Sequence, residues 1–462
     1  MSELTEQLDE ILSTAVTGSV VRTVGMTASV ADFPVPLGAV VEIQRHNGEP
    51  VPAEVVGFQD SLTLIYPMRA MTGVRPGDPV RLCKTTSRIP VGEGLLGRVV
   101  NSEGQVTDGY GQPVAEQKVP RDRQPPAPVD RPRIDTALGT GIRAIDGMLT
   151  CGRGQRMGIF AGSGVGKSVT LGMMAKNTSA DVNVIALIGE RGREVNEFLE
   201  RDLGPRGRAR SVVVVATSDE PALARVQAAF TATALAEYFR DQGKDVLLLM
   251  DSLTRFAMAQ REIGLAAGEP PTTRGYPPSV FALLPKLVER AGRSRNGSIT
   301  GFYSVLVEGD DSNEPIADTV RGLLDGHTWL SRSIASRGHY PAIDILESIS
   351  RLMPEITSPE HRQAAAAVRE CMATYRDNED LISIGAYRAG TNPKIDIAIA
   401  MRDEIDQFLR QQTDDASSFE SAQQALLMLG QRLLTVNQQA MGQQAMGNAA
   451  SRVGAAPAGV PA

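Results

Sequence analysis

The chain has 462 residues, of which 42% are hydrophobic and 22% charged, and its formal net charge is −7. This length favours two to four domains with ample core, and the composition is that of a soluble globular protein. The acidic balance argues against nucleic acid as the main ligand, because binding to a phosphate backbone usually needs a basic face. The sequence has no apolar run of about 18 residues and begins without a secretory signal, so we expect a cytoplasmic protein.

Residues 1–17 are predicted to form an amphipathic helix. Apolar residues fall at helical spacing with acidic residues between them, and they are Leu4, Leu8, Ile11 and Leu12. A terminal helix with such a stripe buries it either against its own domain or against a partner helix. The residues alone leave both alternatives open.

A small β-barrel is predicted for residues 18–90. Short β-rich runs are separated by turn residues, and these runs cover 19–24, 39–43, 54–58 and 62–66. Several short strands at regular spacing are typical of such a barrel. No clustered His, Cys or paired carboxylates stand out in this part of the sequence, so we assign it no chemistry.

An α/β domain is predicted for residues 91–355, with an extended, proline-rich linker at 119–135. Continuously apolar runs alternate with helical segments, and these runs cover 184–188, 211–216, 246–250 and 304–307. Such runs are expected of strands that are covered on both faces. The alternation therefore indicates a core with a mostly parallel sheet.

The chain after residue 355 is predicted to be helical and polar, with a helical domain at 356–438. Ser358 and Pro359 supply a cap and a first-turn proline for its first helix. Residues 439–462 contain part of a repeated Gln-Gln-Ala-Met-Gly and then Ala, Gly and Pro. This low complexity predicts a disordered tail.

A phosphate-binding loop is predicted between a strand at 156–160 and a helix beginning at Val169. The loop is Ala161-Gly162-Ser163-Gly164-Val165-Gly166-Lys167-Ser168, and Val169 joins it in the predicted nucleotide-binding set. Backbone N–H groups of such a turn surround an anion, while Lys167 supplies a charge for the terminal phosphates and Ser168 a hydroxyl ligand for Mg²⁺. Ala161 replaces the first glycine of the strict pattern, a position that only shapes the entry to the turn. The alternative, a Gly-rich turn with an incidental lysine, is disfavoured by the matching flanks.

Two carboxylates follow apolar strands of the predicted α/β domain. Asp251 ends one strand, where it could complete a metal shell, although a strand-ending aspartate could simply cap the next helix. Glu190 ends another, and if the two strands are neighbours its carboxylate could orient and partly deprotonate an attacking water. A solvated loop charge is the alternative for Glu190. Arg191 could bind a phosphate oxygen or pair with Glu190.

Together these motifs resemble the ATPases of type III protein export, with the flagellar export ATPase as the closest kind. The family is related to the catalytic β subunit of F-type ATP synthases. The matching segments agree in order and spacing, and they are 161–168, 189–195, 250–256, 268–281, 338–344 and 348–351. The resemblance implies a RecA-like P-loop core and Mg²⁺-dependent ATP hydrolysis, with ATP and Mg²⁺ as the bound groups.

The resemblance also implies roles for single residues. Glu190 resembles the catalytic carboxylate, Arg191 a contact to the γ-phosphate, and Lys167 the lysine of the catalytic set. Tyr340 resembles the aromatic residue that stacks on adenine. Arg351 resembles the arginine finger that reaches the nucleotide of the neighbouring subunit, a contact worth roughly 10³–10⁵ in rate in other phosphoryl-transfer systems. Without the resemblance, Tyr340 and Arg351 would be interpreted as a core aromatic and a surface ion pair.

The resemblance further implies a homohexameric ring with its sites at subunit interfaces. The N-terminal helix resembles the segment that binds a stator-like regulatory protein. The C-terminal helical domain is expected to face export gate components and chaperone–substrate complexes. We therefore expect a cytoplasmic protein that is peripheral to the inner membrane at the export apparatus and that binds no nucleic acid.

Several alternatives compete with a flagellar export ATPase. An injectisome ATPase has the same motifs, whereas a rotary ATP synthase subunit is disfavoured by the Gly-Arg-Glu sequence at 192–194 and by the loop at 269–276. A non-catalytic ring subunit typically lacks Glu at the position of Glu190. A ring translocase on RNA would need an aromatic-bearing domain and a basic balance, but aromatic residues make up only 4% of this acidic chain.

Overall fold

The computed structural model of the protein describes residues 16–307 and 314–453, with side chains described as far as residue 437. The chain divides into two compact units. The first comprises Met1–Ile134, Arg153–Ser163 and Ala180–Asp325, and the second comprises Asp135–Gly152, Gly164–Ser179 and Gly326–Ala462. The helix predicted for 1–17 lies outside the described residues apart from positions 16 and 17, of which Thr17 already begins the first strand. The domain boundaries predicted from the sequence stay predictions.

The described elements are numbered in chain order. The strands are β1 (Thr17–Val24), β2 (Thr27–Ala31), β3 (Val40–Ile43), β4 (Val51–Gln59), β5 (Leu62–Pro67), β6 (Pro79–Lys84), β7 (Arg88–Val91), β8 (Val99–Val100), β9 (Gln117–Pro120), β10 (Ala137–Leu138), β11 (Cys151–Gly152), β12 (Arg156–Ala161), β13 (Val182–Ile188), β14 (Ser211–Ala216), β15 (Asp245–Asp251), β16 (Gly292–Arg293), β17 (Ser298–Leu306), β18 (Gly326–Leu330) and β19 (Ile343–Ser350). The helices are α1 (Arg143–Met148), α2 (Lys167–Asn177), α3 (Gly192–Glu197), α4 (Gly204–Ala209), α5 (Ala222–Asp241), α6 (Leu253–Ala266), α7 (Pro278–Val288), α8 (Pro315–Leu323), α9 (Arg332–Ala335), α10 (Met353–Ile356), α11 (Pro359–Ser383), α12 (Pro393–Leu409) and α13 (Phe419–Val453). None of the helices in the described part of the chain combines the length and the apolar character that a membrane span requires.

A closed barrel is formed by the first six strands, in the order β1-β2-β5-β4-β3-β6. Alternate residues of β3 and β4 are buried, as the two-residue period of a strand requires. Apolar side chains fill the interior, among them Val30, Val41, Val55 and Ile65. The predicted barrel is therefore confirmed. The four predicted runs correspond to β1, β3, β4 and β5, whereas polar residues interrupt β2 and β6 and weaken their signal.

The first unit also contains a parallel sheet with the order β12-β17-β15-β13-β14-β8. Every residue of β13 is buried, as expected of a strand that is covered on both faces. Helices α5 and α6 both pack against β13. The parallel sheet predicted from the apolar runs is confirmed. Because the strands are parallel, the C-terminal ends of β12, β15 and β13 lie along one edge of the sheet.

The second unit is mainly helical. Helices α11, α12 and α13 pack against one another, α1 packs against them, and β18 and β19 pair antiparallel. Ser358 caps α11 by accepting a hydrogen bond from the backbone N–H of His361 at 3.2 Å, with Pro359 in the first turn. The predicted helical region is thus confirmed as part of the fold.

The end of the described chain differs from the sequence prediction. Helix α13 runs to Val453, so residues 439–453 are helical where low complexity predicts disorder. Their Gln, Ala and Met residues are good helix formers, and the first proline after the helix start is Pro457. Residues 454–462 of the predicted tail lie outside the described residues.

A buried ion pair holds α5 to the segment that follows α7. The side chains of Arg290 and Glu237 are each 1% exposed. The guanidinium donates from Nε and Nη2 to the two carboxylate oxygens at 2.9 and 2.7 Å, and from Nη1 to the carbonyl of Arg121 at 2.9 Å. Since both charges are out of water, the loss of one partner would leave the other uncompensated.

We expect Glu237→Gln to lower the free energy of unfolding by roughly 3 kcal/mol, because it leaves the Arg290 guanidinium buried without a countercharge. The measurement is urea unfolding followed by circular dichroism. Glu404→Gln is the matched control, because Glu404 pairs with Arg432 at the surface and such pairs contribute about 1 kcal/mol or less. Equal losses for the two variants would contradict the stabilising role of the buried pair.

Candidate functional site

The predicted phosphate loop joins the end of β12 to the start of α2. Gly164 and Gly166 both have left-handed backbones, with φ of 78° and 89°, which other residue types adopt only with strain. Gly166 immediately precedes α2, whose first residue is Lys167. Its carbonyl already accepts a hydrogen bond from the N–H of Thr170 at 3.0 Å. The loop therefore enters the helix directly, so that the positive end of the helix dipole lies at the Gly-Lys-Ser sequence.

Asp251 lies at the C-terminal end of β15 and is 3% exposed. One carboxylate oxygen accepts a hydrogen bond from the hydroxyl of Ser304, on the neighbouring β17, at 2.7 Å. The cap of α6 is Ser252, whose hydroxyl accepts from the N–H of Arg255 at 3.3 Å. The alternative that Asp251 caps this helix is therefore wrong. Its carboxylate is oriented from the sheet, as a group with a role at the sheet edge requires.

Glu190 follows β13 by two residues. The strands β13 and β15 are neighbours, and Leu187 pairs in register with Asp251, so the condition for placing Glu190 near Asp251 is met. A turn at Gly189, with φ of 71°, leads into Glu190, and the carbonyl of Glu190 accepts from the N–H of Ser218 at 3.0 Å. A Cβ at position 189 would lie 3.0 Å from that of Arg255. The position of Glu190 thus depends on a glycine.

Arg191 begins the turn into α3 and its side chain is 75% exposed. It forms an ion pair with Glu194 at 3.0 Å, and not the pair with Glu190 that the sequence left open. An exposed pair of this kind contributes little and exchanges easily. The guanidinium can therefore be drawn to another anion at small cost.

Tyr340 lies beside the phosphate loop within the second unit. A Cβ at Gly166 would lie 3.5 Å from the Tyr340 ring, and Tyr340 is 48% exposed. Its carbonyl accepts a hydrogen bond from the backbone N–H of Gln411 at 3.0 Å. An exposed ring that is anchored through its backbone offers a face on which a planar group could stack. The expectation of a core aromatic at this position is wrong.

Arg351 directly follows β19 and is exposed. Within the described residues its side chain makes no ion pair, so the expectation of a surface ion pair has no support there. The finger role given by the resemblance stays a prediction.

The donor set fits Mg²⁺ bound together with phosphate. Nowhere in the described residues do three or more His, Cys, Asp or Glu side chains gather to hold a metal ion. Mg²⁺ is usually bound through one or two carboxylates plus phosphate oxygens and waters, and not by an all-protein cage. Asp251 supplies one buried carboxylate of the kind that this pattern needs.

Two residues that position the site were missed by the sequence analysis. Ser304 lies 53 positions after Asp251 and contacts it only because β17 and β15 pair. Its signal is a lone hydroxyl inside an apolar run. Gly189 lies inside a predicted motif, but its left-handed backbone is visible only in the structure.

The chain matches the model of the ATP synthase alpha/beta family nucleotide-binding domain over residues 141–350, and that of the T3SS EscN ATPase C-terminal domain over residues 357–428.

The same likeness extends to whole proteins. A protein of Bacillus subtilis named flagellum-specific ATP synthase is 52% identical over 90% of this chain and 93% of its own length. A type 3 secretion system ATPase of Xanthomonas euvesicatoria is also 52% identical, over 88% of this chain and 93% of its own. The structure of the assembled ATPase EscN with its central stalk EscO, from the type III secretion system of enteropathogenic E. coli, has a TM-score of 0.83 at 45% identity, covering 89% of this chain and all of that one.

We expect Gly166→Ala to weaken binding of ATP about tenfold, because an L residue at φ of 89° is strained by about 1–2 kcal/mol and relieves that strain by turning the loop N–H groups away. Calorimetric titration with a non-hydrolysable ATP analogue measures this. Gly322→Ala is the control, since Gly322 has open space around it and no left-handed backbone. Unchanged affinity in Gly166→Ala would contradict the binding role of the loop.

Proposed function

The chain belongs to the ATP synthase alpha/beta family, among its flagellar and type III secretion ATPases, and on this premise we propose that it hydrolyses ATP to energise type III export of flagellar proteins. The observation that carries the proposal is the sheet edge, where the buried Asp251 ends β15 and Glu190 follows the end of the neighbouring parallel strand β13. An injectisome ATPase is the second candidate, because relatives of both names are 52% identical to this chain.

The phosphate loop holds the triphosphate in this proposal. The backbone N–H groups of 161–169 surround the phosphates, and Lys167 adds a positive charge at the β- and γ-phosphates. Mg²⁺, when bound, neutralises the charge that develops on the phosphate oxygens, and Ser168 and Asp251 are the residues that would hold it. The hydrogen bond from Ser304 orients the Asp251 carboxylate for this task.

Glu190 activates the attacking water in the proposed reaction. The water oxygen bonds to the γ-phosphorus while the bond from that phosphorus to the β,γ-bridging oxygen breaks, so that ADP leaves. The Glu190 carboxylate orients the water and accepts its proton, which then passes to the phosphate or to solvent. The turn at Gly189 supports the role, because it fixes the backbone position from which the Glu190 side chain extends. The Arg191 guanidinium breaks its exposed ion pair with Glu194 and contacts the γ-phosphate.

The remaining proposed roles are those of Tyr340 in binding adenine and of Arg351 in the assembled ring. Tyr340 stacks on adenine, which its exposed ring beside Gly166 supports. The protein acts as a homohexameric ring in which Arg351 of one subunit completes the site of the next. Its exposure and its lack of an ion pair within the described residues are compatible with a partner on another chain.

The proposed location is the cytoplasmic side of the inner membrane, peripheral to the export apparatus. The N-terminal helix at 1–17 binds a stator-like regulatory protein, and the C-terminal helical domain meets export gate components and chaperone–substrate complexes. The membership of the family and the match to the C-terminal domain model at 357–428 support this arrangement. Nucleic acid has no part in it.

The test of the hydrolase proposal is Glu190→Gln. We expect steady-state ATP turnover to be abolished while ATP binding is kept, because the amide cannot accept the proton of the attacking water. Phosphate release and calorimetric binding measure the two properties. Glu200→Gln, at an exposed position of the following segment, is the control and should be unchanged. Normal turnover by Glu190→Gln would refute the role.

The trans role of Arg351 is tested by mixing two inactive variants. We expect Arg351→Ala and Glu190→Gln to be inactive alone, and equal mixtures assembled into rings to regain up to about a quarter of the sites, where an intact Glu190 faces a neighbour's intact arginine. Arg432→Ala, at an exposed surface pair, should keep full activity alone. Mixed rings without any recovery would place Arg351 in its own subunit's site or outside the chemistry.

A further inference from the structure

Gln411 is a buried glutamine at the junction between α12 and the turn before α13, and it is 5% exposed. Its backbone N–H donates to the carbonyl of Tyr340 at 3.0 Å. Its side-chain oxygen accepts from the N–H of Arg143 at 2.8 Å, and its amide nitrogen donates to the carbonyls of Gly141 and Asp415 at 2.9 and 2.7 Å. The side chain therefore fixes the peptide that holds Tyr340.

Gln411 donates to the carbonyl of Gly141, in the turn at residues 139–141. This turn is itself hydrogen-bonded to the residues that follow α2. The carbonyl of Gly139 accepts from the N–H of Ser179 at 2.8 Å and from the hydroxyl of Thr178 at 3.0 Å. Gly141 has φ of 79°, and a Cβ there would lie 2.3 Å from that of Asn177, the last residue of α2. The helix that begins with the phosphate loop thus ends against the turn that Gln411 contacts.

The carboxylate of Asp146 completes the support of this turn. It is fully buried and accepts from the N–H and hydroxyl of Thr140, at 2.8 and 2.7 Å, and from the N–H of Gly141 at 3.1 Å. With these bonds in place the carbonyl of Gly141 points at the Gln411 amide. The bonds to Asp146 therefore hold the Gly141 carbonyl in position to accept from the Gln411 amide.

A second residue holds the backbone on the other side of Gln411. The Arg143 guanidinium donates from Nε to the carbonyl of Phe408 at 2.7 Å and from Nη2 to that of Arg410 at 2.5 Å. The segment that carries the Gln411 N–H is therefore held from two directions. Tyr340 lacks comparable support from burial, because the residue is 48% exposed.

We propose that Gln411 is a positioning residue for the nucleotide base, which sets Tyr340 against the end of the phosphate loop. The inference rests on the proposed stacking of Tyr340 on adenine. Gln411 touches no nucleotide itself. Substitution of the Gln411 side chain removes the bonds that hold its backbone N–H against the Tyr340 carbonyl, while it leaves the loop N–H groups, Lys167 and Glu190 in place. The defect should therefore depend on the presence of a base in the ligand.

The test compares a ligand that has a base with one that lacks it. We expect Gln411→Leu, which keeps the side-chain size and loses the amide, to raise KM for ATP about tenfold, while kcat at saturation stays within about twofold. Competitive inhibition by inorganic tripolyphosphate should be unchanged, because that ligand has no base to stack. Gln411→Glu should show the same pattern, since it keeps the acceptor oxygen and loses both donated bonds.

Gln423→Leu is the matched control. Gln423 also bonds a buried partner, with its amide nitrogen 3.3 Å from Nδ1 of His361, but it does not contact the Tyr340 peptide. It should leave both KM and tripolyphosphate inhibition at the wild-type values. If Gln411→Leu and Gln411→Glu weaken inhibition by tripolyphosphate as much as they raise KM for ATP, Gln411 has only a structural role and the inference is wrong. The same conclusion follows if they lower kcat without raising KM. If Gln411→Leu does not fold, Gln411→Glu decides.

Tyr340→Ala separates this inference from the role on which it rests. If Tyr340→Ala leaves KM for ATP unchanged, the stacking role fails and the inference fails with it. If Tyr340→Ala raises KM but neither Gln411 variant does, only the positioning role is overturned. If both act through one ring, the double variant of Tyr340→Ala and Gln411→Leu should raise KM no further than Tyr340→Ala alone.

Discussion

The parallel pairing of the central strands is the constraint on which the rest of the structure depends. A strand such as β13, buried along its whole length, cannot place a charge anywhere except at its ends. Parallel pairing brings the same end of each strand to one edge of the sheet. Glu190 and Asp251 therefore lie at the same edge, although 60 residues (191–250) separate them in the sequence. The charged side chains of β15 accordingly lie at its two ends, at Asp245 and Asp251.

Much of this arrangement was predictable from sequence, because continuous apolar runs, a Gly-Lys-Ser turn and strand-ending carboxylates are local patterns. Residues whose task depends on a distant partner gave no such pattern. Ser304 and Gln411 are an ordinary hydroxyl and amide until the fold brings them to Asp251 and Tyr340. Residues 439–453 differ from the predicted disorder for the opposite reason, because their repetitive composition includes residues with good helix propensity.

The proposed roles divide by how firmly the fold holds each side chain. Asp251 is buried and hydrogen-bonded, and the turn before Glu190 requires a glycine, so both groups are placed before any ligand arrives. Arg191 and Arg351 are exposed and weakly held or unpaired within the described residues. In the proposed roles, Asp251 and Glu190 are therefore in position before ligand binds, whereas Arg191 and Arg351 contact the phosphates only after their side chains move.

The closure of the N-terminal barrel limits how other chains can associate with it. Because β6 pairs with β1, no strand of the barrel has an open edge, and β-augmentation by a neighbouring polypeptide is ruled out there. Any chain that binds the barrel must use side chains on its outer face, where Leu37 and Phe58 are 64% and 57% exposed. Such an interface can be strengthened or lost through single substitutions while the barrel itself stays folded.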